Sequence, residues 1–109
     1  MPPAAQSNTT GTFKSFFNSR FRGTVNFNDT NYILMGTLDS SLPPFECTSV
    51  EFKSIKRSTF VGTRAIEGRI GPETLDLTLD DGTKIQGKFK EKMGKNQEVV
   101  CGSIAFTPF

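Results

Sequence analysis

Residues 66–89 read Ile66-Glu67-Gly68-Arg69-Ile70-Gly71-Pro72-Glu73-Thr74-Leu75-Asp76-Leu77-Thr78-Leu79-Asp80-Asp81-Gly82-Thr83-Lys84-Ile85-Gln86-Gly87-Lys88-Phe89. Leu75, Leu77 and Leu79 alternate with polar residues, and turn formers stand at Gly71-Pro72 and Asp80-Asp81-Gly82. A period of two bounded by such residues predicts β-strands joined as hairpins. Directly opposite residues share one side of a sheet, so a loop length is acceptable only if it keeps apolar residues together. A two-residue loop would set Leu77 against Gln86 and Leu79 against Lys84. A three-residue loop, Asp80-Asp81-Gly82, sets Leu77 against Ile85 and Thr78 against Lys84. It also puts Gly82 where a type I turn plus bulge needs a left-handed residue. A five-residue loop keeps the faces straight too, so the register is favoured without being unique.

The same pattern extends outward. With Asn28 to Asn31 as a four-residue loop, Phe27 faces Tyr32, Val25 faces Leu34, Gly23 faces Gly36 and Phe21 faces Leu38. Around Gly71-Pro72, Gly68 faces Leu75 and Ile66 faces Leu77. Pairing Phe89 with Val100 brings Ile85 to Ile104 and Gly87 to Gly102. Strands are predicted over 21–27, 32–38, 45–52, 60–70, 73–79, 83–89 and 99–106. Residues 12–17 fit a short helical face or an edge strand, and Gly11-Thr12-Phe13 favours the strand. The expected fold is all-β, a small antiparallel meander of seven or eight strands closing into a barrel or a strongly curved sandwich.

Six glycines fall inside these segments: Gly23, Gly36, Gly62, Gly68, Gly87 and Gly102. Glycine in a strand forfeits packing and costs entropy, so their number needs a reason. Curvature of a closing sheet is one. Space left for a ligand is the other, and curvature is preferred. The glycine face carries Phe21, Val25, Phe27, Tyr32, Leu34, Leu38, Phe60, Ile66, Ile70, Leu75, Leu77, Leu79, Ile85, Phe89, Val100, Ile104 and Phe106. It also carries Arg64, a guanidinium that must reach the barrel rim or find a partner. Were the interior hollow, Arg64 would anchor a pocket with Tyr32, Gly36 and Gly62 around it.

The chain has 109 residues, 11 of them Phe, which is enough for one core without staples. Residues 1–10 are expected to form a flexible tail and 11–109 a single β domain. The net charge of +2 makes nucleic acid an unlikely partner. The longest apolar stretch, Tyr32-Ile33-Leu34-Met35, is too short to span a bilayer, and residues 1–11 do not read as a signal peptide. A soluble protein is expected, with the cytoplasm favoured.

No catalytic set stands out. There is no His, and Cys47 and Cys101 cannot by themselves build a zinc site. Alternation turns both thiols to the face opposite the glycines and favours free thiols. Asp76 and Asp80 share an outer face beside Asp81, where solvated polarity is the simplest account. No cofactor or metal is expected. The first functional expectation is therefore a non-catalytic binding or protein-interaction module, with Lys53, Lys56 and Arg57 as interaction-loop candidates. The alternatives are a barrel binding, isomerising or cyclising a hydrophobic small molecule, and a single-strand nucleic-acid binder. A homodimer through an open edge strand, 12–17 or 99–106, is also compatible with the pattern.

Overall fold

The computed structural model describes residues 9–16, 19–39, 45–92 and 97–108. Eight strands form a closed antiparallel barrel: β1 (Thr9–Phe16), β2 (Arg20–Phe27), β3 (Thr30–Leu38), β4 (Glu46–Lys53), β5 (Thr63–Ile70), β6 (Thr74–Leu79), β7 (Lys84–Lys88) and β8 (Glu98–Pro108). Around the barrel the order is β1-β2-β3-β8-β5-β6-β7-β4, with β4 returning to β1. Two consecutive three-strand ribbons, β1–β3 and β5–β7, are thus stitched together by β8 on one side and β4 on the other. A 3-10 turn, Arg57–Phe60, precedes β5. Among the described residues no helix is long and apolar enough to cross a membrane.

The Asp80–Gly82 hairpin has the expected register, Leu77 to Ile85 and Thr78 to Lys84, with Gly82 at φ +93°. The first hairpin is tighter than expected. Asn28 and Asp29 adopt φ of 51° and 64°, the left-handed pair of a two-residue turn, and Val25 pairs with Tyr32 and Phe21 with Gly36. At Gly71-Pro72 the pairs are Ile66 to Leu79, Gly68 to Leu77 and Ile70 to Leu75. Both corrections are shifts of two residues, which leave every side chain on its expected face.

The expected pairing of Ile85 with Ile104 does not form. Ile85 lies between Phe52 and Leu77, and Ile104 between Gly36 and Arg64. Closure also gives β1 and β8 neighbours on both sides, so neither offers the open edge a strand-to-strand homodimer requires. Residues 1–8 of the expected tail lie outside the described residues, while Thr9 and Thr10 begin β1 and pair with Phe52 and Glu51.

Cys47 is the clearest reversal of face. It is 1% exposed and points inward with Phe52, five residues away. Gly11 pairs with Val50 but Phe13 with Cys47, so Thr48 and Ser49 together oppose Thr12 and both face outward. That bulge switches the parity of β4.

Among the described residues, apolar side chains pack the interior. Phe13, Phe21, Phe52, Leu34, Ile70, Leu75, Leu77, Ile85 and Ile104 are each almost wholly buried. Phe13 stacks on Phe21 at 4.7 Å and on Phe45 at 6.0 Å, and Phe45 meets Phe89 at 5.0 Å, closing one mouth. At the other mouth Phe60 stacks on Tyr32 at 4.0 Å and meets Phe27 and Phe106, each at 5.0 Å.

Candidate functional site

Three of the four pocket candidates do gather at one mouth, but the space there is taken. Gly62 is a left-handed bend residue at φ +74°, not part of a strand, and a Cβ built on it meets nothing within 4 Å. It lets the chain turn from the 3-10 turn into β5, dropping Phe60 between Phe27, Tyr32 and Phe106. Phe60 is therefore a plug in the mouth, where a place in a strand over 60–70 was expected. Gly36 sits at mid-wall. A methyl there would collide with the Phe21 ring and with the Ser103 carbonyl, so its missing side chain admits a neighbouring ring and strand rather than a ligand.

Arg64 is a latch on the plug. Its guanidinium donates to the Ser58 carbonyl and lies 3.5 Å from Asp80 Oδ1, with the side chain 23% exposed. Asp80 Oδ2 also accepts from the Ala65 amide at 3.2 Å. Burial opposes the charge on Asp81, but hydrogen bonds from Thr59 and Thr83 and the Lys56 ammonium outweigh it and hold the carboxyl below its ordinary range. The Thr59 hydroxyl, fully buried, donates to Asp81 Oδ2 at 2.6 Å. The Asp80–Asp81 pair, considered from sequence as solvated polarity, fastens the mouth.

The same fastening uses up most of the basic loop. Lys56 Nζ donates to the carbonyls of Asp81 at 2.9 Å and Ser54 at 3.3 Å. Lys53 Nζ lies 3.9 Å from Glu51 Oε1. Arg57 stays exposed on the 3-10 turn, with no ion-pair partner among the described residues. All three interaction-loop candidates keep solvent-accessible side chains, and Arg57 alone among them has neither an ion pair nor a side-chain hydrogen bond among the described residues.

A further concavity lies on the outer wall. β4 and β7 pair from Lys53–Lys84 to Val50–Gly87, and the seam next closes where the Lys90 amide donates to the Glu46 carbonyl at 2.8 Å. Between these points the Thr48–Ser49 bulge pushes β4 outward, and a cleft of about 690 Å³ opens over β4, β7 and β6. A Cβ at Gly87 would stand 2.6 Å from Val50 Cγ1, so β7 is drawn in against β4 at the cleft's end. Phe89 contributes apolar surface. Glu51, Gln86 and Asp76 form one outward row across three strands, each the register partner of the next. Neighbouring strands are about 4.8 Å apart, so the Glu51 and Asp76 positions stand about 10 Å apart in the row with Gln86 between them. Lys88 extends the row along β7. The arrangement can clamp a polar segment bearing both charges; its volume is within the range of small-ligand sites.

Asp76, Lys88 and Lys90 were visible in the sequence only as surface charge. Ser49 and Gln86 carry no local signal, because the cleft exists only once β4 is placed beside β7. Cys47 and Cys101 are both free thiols. Burial, with Glu46 adding to it, pushes Cys47 up to about 11. Among the described residues no group of three His, Cys, Asp or Glu side chains could hold a metal ion. Comparison with protein families, curated proteins and solved structures finds no match for the chain.

Proposed function

We propose that this protein is a non-catalytic binding module that receives a polar protein segment or small polar ligand on its outer wall, in the cleft over β4, β7 and β6. One observation carries the reading: the barrel interior is occupied by its own Phe, Leu and Ile side chains, while the wall cleft of about 690 Å³ is open and lined by Glu51, Gln86, Asp76 and Lys88. An amide flanked by carboxylates pairs well with peptide groups and cations, and each such contact is worth more where water is partly excluded. The test is a library of short peptides and polar fragments titrated into ¹⁵N-labelled protein. Amide shifts should cluster at Ser49, Thr74, Gln86 and Lys88, and Gln86→Trp, which fills the cleft, should abolish them. Shifts confined to Leu34, Ile104 and Phe106 would place the ligand inside and reject the wall.

A second reading, an apolar pocket, rests on the gathering of Tyr32, Arg64 and Gly62 at the Phe60 mouth. It requires the 3-10 turn to leave that mouth, breaking the Thr59–Asp81 and Arg64–Ser58 hydrogen bonds. Replacing Phe60 by Ala opens the mouth without disturbing the latch. Uptake of a hydrophobic dye by this variant but not the parent would mark the plug as a gate.

A further inference from the structure

The charges of the barrel are not evenly spread. β1, β2 and β3 contain Lys14, Arg20 and Arg22 and no Asp or Glu. Lys14 and Arg22 are direct register partners, and Arg20 lies two residues along β2 on the same outer face. All three are exposed, and none has an ion-pair partner within 4.0 Å among the described residues. Like charges placed directly opposite each other oppose folding; on its other side Lys14 faces Glu46 of β4, its register partner there, so the repulsion is relieved at one of the three cations only. Arg22 is also the partner of Met35, 54% exposed, with Ile33 half-buried two residues away.

We propose that the outer face of β1–β3 docks an extended acidic peptide segment of a partner protein. Alternate residues of a strand repeat about every 6.8 Å, and so do same-side residues of an extended peptide. Arg20 and Arg22 therefore match two carboxylates spaced as Glu-x-Glu, Lys14 reaches the second from across the strand gap, and an apolar residue of the segment rests on Met35. The resulting contacts are charge-assisted and gain from removing the Lys14–Arg22 repulsion. A nucleic acid would find only three cations, too few for the phosphate contacts that sustain its binding at physiological salt, and no use for Met35. This face lies across β4 from the wall cleft, and Thr48 borders both.

The probe is a fluorescein-labelled peptide in which Glu alternates with Leu, followed by anisotropy at low salt. Arg20→Glu/Arg22→Glu should bind about tenfold more weakly. Lys84→Glu/Lys92→Glu, with the same change of net charge, should bind as the parent does. Met35→Ser should weaken peptide binding too, and circular dichroism melts verify that each variant is folded. Equal losses in the two charge-reversed pairs, no binding by the parent, or tighter binding of oligothymidylate or of phosphatidylserine vesicles would each overturn the proposal.

Discussion

Lys14 on β1 and Arg22 on β2 are direct register partners on the outer face, two cations side by side, with Glu46 of β4 facing Lys14 from its other side. Arg22→Glu turns this repulsion into a cross-strand ion pair. Urea denaturation should show a gain of about 0.2–1 kcal/mol, shrinking as salt screens the pair. The same variant should lose acidic-peptide binding. A loss of stability, or a gain that salt leaves untouched, would contradict the charge account.

Gly36 is held by a neighbour, not by a turn. Gly36→Ala drives a methyl into the Phe21 ring and the Ser103 carbonyl, and overpacking of this kind costs about 1–3 kcal/mol. Adding Phe21→Leu should recover part of the loss, since the ring is one of the two obstacles. A double-mutant cycle in urea measures the coupling, and strict additivity would show that the ring does not fill that space.

Asp81 sets an acid limit on the plugged mouth. Its carboxyl is held below the ordinary range in the folded state, so its contribution is present above the unfolded value of about 3.9 and is lost as pH falls through the folded value. Between about pH 6 and pH 3 the parent should therefore lose more stability than Asp81→Asn. Parallel curves for the two proteins would remove Asp81 from the latch.

The two thiols should differ in reactivity for different reasons. The Cys101 thiol is exposed but donates to Asp39 Oδ2 at 3.1 Å, and that hydrogen bond, the Asp39 charge and Glu67 raise its pKa. Asp39→Asn should speed alkylation of Cys101 near pH 8 by favouring the thiolate. Cys47 should react only as the barrel opens. Equal rates in parent and variant would show that Asp39 does not restrain the thiol.

How much of this was legible depends on what period-two alternation encodes. It fixes which face a residue takes, so Leu75, Leu77, Ile85 and Ile104 are buried as expected. It leaves shifts of two residues undetermined, which is why Val25 pairs with Tyr32 instead of Leu34. It says nothing about which distant strands are neighbours, so it cannot tell that Ile85 lies beside Phe52 rather than Ile104. It also fails across a bulge, where Thr48 and Ser49 turn Cys47 inward. Arg64 stands out in the sequence because a cation on an apolar face is conspicuous. The wall cleft does not, because it is made by strand order and by a bulge, neither of which leaves a local mark.

The central claim is that the barrel is full and meets its ligands on its outside. Titration of the intact protein with 1-anilinonaphthalene-8-sulfonate, read by fluorescence, tests it most directly. The parent should give no saturable enhancement, since Phe13, Phe21, Phe60 and their neighbours leave no room for the dye. A saturable signal of one dye per chain, lost on Arg64→Met or Tyr32→Ala, would contradict it.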